Sequence, residues 1–279
     1  TPPSASAALR TLPSNVPIVA FQGEPGAFSD DAARTLVPGA ETLGCSTFDE
    51  AFAAVARGDV EFAVLPVENS ISGPVPRVYD LLWDESRVRI IGELVYRVVQ
   101  NLIGIGDATA ETLTDVRSHP VALEQCRNFF AAHPRIRSTI VADTAGAVRE
   151  IVALGDPSSG AIGSALAAER YGARIIATNI QDVAANFTRF FLVERDAPET
   201  TEPSRACIAL SLAHKPGSLR DALSRFAEVD FNLRTLVSRP SLDEPFTYRF
   251  YCEIAPVTRA ELDAALSRID GTARILGIY

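Results

Sequence analysis

The sequence predicts an α/β fold: a long region in which apolar strands alternate with amphipathic helices, then a smaller βαββαβ unit. Two observations carry this. Between Val16 and Val193, short apolar runs are separated by helix-start and helix-stop signals. From Cys207 to Leu276 the pattern is strand, helix, strand, strand, helix, strand, the ferredoxin-like order with an antiparallel sheet. The polar, proline-bearing stretch 194–203 separates the two as a linker. With 279 residues, 47% of them apolar, the chain can bury one large or two moderate cores.

The elements follow in order. The opening Thr1 to Asn15, rich in Ala, Ser and Pro, reads as a frayed tail. Val16 to Phe21 is a strand, Gly23-Glu24-Pro25-Gly26 a turn, and Ser29 the expected cap of a helix with Asp30 and Asp31 in its first turn. Thr47 and Glu50 form a capping-box pattern for a helix closed by Gly58. Val60 to Val67 is a strand ending in Glu68-Asn69-Ser70, and an apolar helix follows around Val78 to Trp83. Ile90 to Val95 and Val98 to Ile105 read as strands. Val116-Arg117 leads through Ser118-His119-Pro120 into a helix turning Leu123, Cys126 and Phe130 inward. Asp143-Thr144 and Ser164 open two more helices, ended near Gly155 and Gly172. Strands and helices alternating in this way imply a mainly parallel sheet covered on both faces.

Charge and cysteine usage exclude several function classes. A net charge of -9 without a Lys/Arg block argues against nucleic acid, whose phosphates need clustered cations. Cys45, Cys126, Cys207 and Cys252 are far apart and form no CxxC pair, so they read as small core residues in a reducing cytoplasm. The three histidines have no metal-ligand spacing, and no metal or cofactor is implied. No apolar run approaches the roughly 20 residues needed to cross a bilayer, and no basic segment precedes an apolar one as in an export signal. Gly104 and Gly106 lack the third glycine of a dinucleotide loop, since Thr109 stands in its place.

The polar residues are grouped. Ser29, Glu68-Asn69-Ser70, Ser118-His119, Asp143-Thr144 and Ser164 all fall where a strand's carboxyl end feeds a helix. In open α/β sheets that edge binds ligands, and helix N-termini suit an anion such as a carboxylate. Asn186-Phe187-Thr188-Arg189-Phe190-Phe191 adds an amide, a hydroxyl and a permanent cation at the start of a last apolar strand.

These residues resemble a known family. Gly23 to Ser29, Pro66-Val67-Glu68-Asn69-Ser70, Ser118-His119-Pro120, Gln125-Cys126, Tyr171-Gly172, Ile180-Gln181-Asp182 and Asn186 to Phe190 are similar, in order, to the motif series of prephenate dehydratases. Arogenate dehydratases share most of it. Pro216-Gly217-Ser218-Leu219 and Ser238-Arg239-Pro240 are similar to the two motifs of the phenylalanine-sensing ACT domain fused to these enzymes.

The resemblance implies a two-lobed catalytic region of periplasmic-binding-protein type at 16–193, with one lobe about 16–95 and 180–193 and the other about 96–179, and an ACT domain at 204–279. It implies conversion of prephenate to phenylpyruvate, water and carbon dioxide in a monofunctional, cytoplasmic enzyme. L-phenylalanine is the implied effector, bound by Pro216 to Leu219 and Ser238 to Pro240 between paired ACT units of a homodimer or homotetramer. Thr188 is the implied catalytic residue, with His119 ranked behind it. Arg189 pairs with a substrate carboxylate or braces the Thr188 strand against a nearby acid. The implied substrate-binding residues are Arg189, Asn186, Ser29, Glu68, Asn69, Ser70, Ser118, His119, Gln125 and Phe190; of these, Asn69, Ser118, Gln125 and Asn186 have amide or hydroxyl groups to donate to the anion, and Phe28, Phe187 and Phe190 either wall the cleft or pack as core. Glu68 anchors cleft-side backbone or an arginine. Val237 departs from the family, which usually has an acidic residue there, and this puts the strength of feedback in question. The alternatives are an arogenate dehydratase and a non-catalytic carboxylate-binding module.

Overall fold

The structure, a computed structural model, describes residues 16–198, 200, 204–241 and 244–279. The expected N-terminal tail and residues 199 and 201–203 of the linker lie outside the described residues.

Local signals set most helix ends. β1 (Ile18–Gln22), α1 (Phe28–Leu36), β2 (Glu41–Cys45), α2 (Phe48–Arg57) and β3 (Phe62–Asn69) follow one another. Thr47 accepts the Glu50 N–H, the Glu50 carboxylate accepts the Ser46 N–H at 2.8 Å, and Gly58 ends α2 in the left-handed region. The start of α1 differs from expectation. It follows an extended Ala27 with no side-chain cap, so Ser29 lies inside the first turn. β3 runs on through Glu68 and Asn69 because it turns back at once to pair with the short β4 (Gly73–Pro74). α3 (Pro76–Asp84) and β5 (Val88–Arg97) follow.

The chain then crosses to a second sheet through β6 (Asn101–Gly104), β7 (Asp115–Ser118), α4 (Pro120–Glu124), α5 (Arg127–Ala132), β8 (Arg137–Ile140), α6 (Thr144–Leu154), β9 (Ser159–Gly163), α7 (Ala165–Tyr171) and β10 (Arg174–Ala177). The helix expected after His119 is broken in two at Gln125 and Cys126. Asp143 caps α6 and Ser164 caps α7, as expected. The chain returns to the first sheet as β11 (Phe187–Arg195), whose end overlaps the expected start of the linker.

Both sheets are mixed rather than mainly parallel. β2, β1 and β3 are parallel, with β11 antiparallel between β3 and β5. In the second sheet β8, β7 and β9 are parallel, while β6 and β10 run against their neighbours. The two lobes also touch at the Gly23–Gly26 turn. Ser164 Oγ donates to the Gly26 carbonyl at 2.5 Å and the Tyr171 hydroxyl to that of Pro25 at 2.9 Å. Gly26 has φ 95°, and a Cβ there would lie 2.8 Å from the Ala167 Cα.

The C-terminal unit is βαββαβ as predicted: β12 (Ala206–Leu212), α8 (Ser218–Ala227), β13 (Asn232–Pro240), β14 (Tyr248–Ala255), α9 (Arg259–Leu266) and β15 (Gly271–Ile278), paired in the order β13-β14-β12-β15. It is not merely tethered by the linker. β15 lies against β5 and extends the first sheet, an approach that requires glycine at 277, since a Cβ would overlap the Ile90 carbonyl. Tyr79, Phe191, Cys207, Tyr251 and Leu276 form one core shared between the unit and the first lobe. Each large apolar side chain removed from water there is worth about 1.5–3 kcal/mol. All four cysteines are buried and free.

Candidate active site

Thr188 sits near the start of β11, opposite Asn69 of β3 on one side and Tyr96 of β5 on the other. Asn69 is oriented first. Its Oδ1 accepts the backbone N–H groups of Ile71 at 3.0 Å and Ser72 at 2.9 Å in the turn after β3. Its amide nitrogen therefore faces β11, where Thr188 Oγ1 lies at 3.0 Å, Asn186 Oδ1 at 2.9 Å and the Phe187 carbonyl at 3.1 Å. Because Asn69 donates to Thr188, the threonine oxygen is an acceptor in this bond and its own proton is left to give elsewhere.

The amide network continues across the lobes. Asn186, fully buried, donates to Gln125 Oε1 at 2.9 Å, which also accepts from Gln100 Nε2 at 3.2 Å. The Gln100 N–H donates to Gln181 Oε1 at 3.0 Å. Gln100 and Gln181 lie on the two segments that cross between the sheets, so the network that holds Thr188 reaches both crossings. Beside this network, and sharing Gln125 with it, a cavity of about 500 Å³ is lined by Ile71, Ser72, Asp182 and Val183 on one side and by Val121, Glu124, Gln125 and Arg127 on the other, with Arg127 paired to Glu124. That volume suits a small-molecule ligand.

Arg189 points the other way, because successive strand residues face opposite sides. Its guanidinium makes two hydrogen bonds to Glu253 of β14, one of 2.6 Å between Nη2 and Oε1. Glu68 at 3.2 Å and Glu93 at 3.4 Å complete the cluster, and Arg205 also pairs with Glu93. The Arg189 side chain is 13% exposed and that of Glu253 2%. Burial works against the arginine's charge, but hydrogen bonding to the Glu253 carboxylate and its attraction outweigh it and raise the pKa. Of the two roles expected for Arg189, this geometry is that of a brace.

The other expected ligands are placed differently. Phe190 is buried with Val19, Ala33 and Val64 as core, because it faces α1 in the middle of the sheet. Ser118 is fully buried and its hydroxyl donates to the Ile162 carbonyl at 2.7 Å, linking β7 to β9. Ser70 bridges within the first lobe's edge, accepting the Phe187 N–H at 2.9 Å and donating to the Ala185 carbonyl at 3.1 Å. His119 caps α4 by accepting the Val121 N–H at 3.3 Å on Nδ1. Glu68 anchors an arginine, one of its two expected roles. The structure thus brings together Thr188, Asn69, Asn186 and Gln125, commits the hydroxyls of Ser70 and Ser118 to backbone groups, buries Phe190 in the core and leaves Ser29 within the first turn of α1.

The prephenate dehydratase family model matches residues 19–198, the segment that holds this whole network. The chain belongs to the prephenate dehydratase family. It is 37% identical to arogenate dehydratase/prephenate dehydratase 1, chloroplastic, of Arabidopsis thaliana over 94% of this chain and 71% of that protein. It is 36% identical to the bifunctional N-acyl-homoserine lactone acylase/prephenate dehydratase of Komagataeibacter europaeus over 94% of this chain and 95% of the relative. The crystal structure of prephenate dehydratase in complex with L-Phe from Arthrobacter aurescens superposes with a TM-score of 0.84 at 28% identity, over 94% of this chain and 89% of that one. As a prephenate dehydratase family member the chain is a lyase, with a two-lobed α/β region of periplasmic-binding-protein type.

A second cavity of this chain, of about 390 Å³, lies in the C-terminal unit. Lys215, Gly217, Ser218, Leu219, Tyr248 and Phe250 line it. Pro216 lies in the same turn, and Ser238 and Pro240 sit across the β13–β14 ladder from Phe250 and Tyr248. Arg239 faces away, pairing with Asp80 of α3 at 2.7 Å. Val237 packs into the core shared with the first lobe, so its departure from the family's acid removes no charge from this cavity.

Sequence reasoning missed Gln100, Tyr96 and Glu253. Tyr96 donates to Asp31 at 2.6 Å and its ring lies tilted against that of Phe28, with centroids 6.3 Å apart. The signal for Glu253 was available: a lone carboxylate inside the apolar run Phe250 to Ile254 requires a buried partner.

Proposed function

We propose that this chain catalyses the decarboxylating dehydration of prephenate to phenylpyruvate, under feedback by L-phenylalanine bound in the C-terminal unit. The observation that carries the reading is the Asn69 amide donating to Thr188 Oγ1 at 3.0 Å, beside the interlobe cavity. As the ring C–O bond breaks, Thr188 gives its proton to the departing hydroxyl, which leaves as water. The C–C bond to the ring carboxylate breaks in concert, its electrons completing the aromatic ring and releasing carbon dioxide. Asn69 stabilises the negative charge developing on the threonine oxygen, and solvent returns the proton. A positioned acid of this kind is worth about 10²- to 10⁴-fold.

In this reading, Asn186 and Gln125 hold Asn69 and Thr188 in register, and Gln125 borders the anion. The lobes are 16–95 with 180–193, and 96–179; residues 204–279 act as an ACT domain, with the effector in the cavity by Gly217 and Ser218. Pairing of two such units into a homodimer or homotetramer is consistent with the open outer edge of β13.

The test is phenylpyruvate formation from prephenate, with arogenate and an N-acyl-homoserine lactone as parallel substrates and with L-phenylalanine present or absent. Arogenate is the second reading, favoured because the Arabidopsis relative carries both activities in its name. Prephenate turnover suppressed by phenylalanine is the expected result. Turnover of arogenate alone replaces the substrate, and turnover of neither removes the dehydratase reading for this chain.

A further inference from the structure

The strand carrying Thr188 is not held by its ladder alone. The register of β11 against β3 shifts between Arg189 and Phe190, so Thr188 lies beyond an irregularity in the pairing. At that irregularity, the Arg189 guanidinium passes out of the first lobe and is gripped by Glu253, which belongs to the C-terminal unit. Glu253 stands between buried Cys252 and Ile254, and the Tyr79 hydroxyl also reaches it at 3.4 Å. The guanidinium lies 5.5 Å from the Phe191 ring centroid, which confines it further. Glu68 and Glu93 approach Arg189 less closely and are more exposed than Glu253.

We infer that Glu253 is a positioning residue for the dehydration: through Arg189 it fixes the backbone at 188–189, and the C-terminal unit thereby completes the geometry of the catalytic strand. The inference rests on the dehydratase reading above. Two parallel charge-assisted bonds give a directional anchor that an exposed ion pair does not. Thr188 is the next residue along the chain, so a shift of Arg189 is carried directly to its hydroxyl. A displacement of about 1 Å at a reacting group costs about 10²-fold.

The test is steady-state turnover of prephenate by the full chain and by Glu253→Gln, which keeps the side chain's length but removes its charge. The expected result is a kcat lower by about 10- to 100-fold with KM held within about threefold, because positioning acts on the transition state. Glu253→Asp, with the charge but one methylene fewer, should fall between the two. An unchanged kcat overturns the inference. So does a lower KM, which would mean that Glu253 merely competes with substrate for Arg189.

If Glu253→Gln does not hold its fold by far-ultraviolet circular dichroism, the pair Arg189→Met with Glu253→Met replaces both charges, a change buried ion pairs often tolerate. A folded double variant should remain at least about tenfold slow with KM held. Recovery of the parent kcat would reduce Glu253 to a structural partner and sink the proposal. Failure of the parent chain itself to turn over either prephenate or arogenate would instead remove the dehydratase reading.

Discussion

Replacing Asn69 by aspartate changes essentially one atom of the site. The oxygen that accepts from Ile71 and Ser72 remains, while the amide nitrogen that donates toward Asn186, Phe187 and Thr188 becomes an acceptor. Two amide hydrogens serve those three oxygens, so two bonds at most are lost. At about 0.5–1.5 kcal/mol each, the stability cost is about 1–3 kcal/mol. The effect on catalysis is larger and of different origin. Facing a carboxylate, the Thr188 hydroxyl donates to residue 69, so the proton needed by the leaving hydroxyl is turned away from it. Loss of a positioned acid predicts a kcat about 10²- to 10⁴-fold lower, about 2.7–5.4 kcal/mol in the barrier. The assay is initial-rate phenylpyruvate formation at saturating prephenate, with a thermal melt alongside. Asn69→Ala, which leaves the Thr188 proton uncommitted, should be less damaged in kcat than Asn69→Asp. The reverse order, or an Asn69→Asp rate within about threefold of the parent, refutes the assignment of proton direction.

Other outcomes follow from the packing. Gly26→Ala must strain a positive φ and press on Ala167, so it should lower the melting temperature more than Gly39→Ala, where φ is 82° but a Cβ meets nothing within 4 Å. The control should cost about 1–2 kcal/mol and the interlobe variant about 1–3 kcal/mol more. Burial pushes the thiols up, to about 11 for Cys45 and about 12 for Cys126 and Cys252 from the ordinary 9.0. A raised thiol pKa means that folding favours the protonated form. That stability is whole below pH 9 and lost as pH rises toward 12, so the melting temperature should fall through that window, and iodoacetamide should label these cysteines near neutral pH only after unfolding. Ser164→Ala removes both the α7 cap and the bond to the Gly26 carbonyl, and should cost about 1–2 kcal/mol by chemical denaturation.

The parts of the fold legible in the sequence are those whose causes are local. Thr47 with Glu50, Asp143 and Ser164 were expected as caps from neighbours within a helical turn, and each makes its bond. The βαββαβ order was equally plain, because every element carried its own start and stop. Ser29 misled because a serine two residues past Ala27 carries the same signal, while the chain enters α1 without any side-chain cap. The junction of β5 with β15 had no local sign at all; it depends on Gly277 meeting Ile90, two positions that only the folded chain brings together.

The site was legible in its centre and not in its periphery. Asn69, Gln125, Asn186 and Thr188 were expected at one place and are linked there by hydrogen bonds. Strand alternation would have separated Thr188 from Arg189 in advance, since adjacent residues of a strand cannot face one ligand together. Ser118 and Ser70 could not be separated from true donors, because what uses their hydroxyls is a distant carbonyl or a backbone group of the returning strand.

The claim on which the account turns is that the Thr188 hydroxyl supplies the proton for loss of the ring hydroxyl. The direct measurement is prephenate turnover and prephenate affinity for the parent, Thr188→Ser and Thr188→Val. The account predicts phenylpyruvate formation by the parent, substantial activity with serine, and a loss of about 10²- to 10⁴-fold with valine while affinity changes by less than about tenfold. A valine variant that turns prephenate over at the parent rate would contradict it.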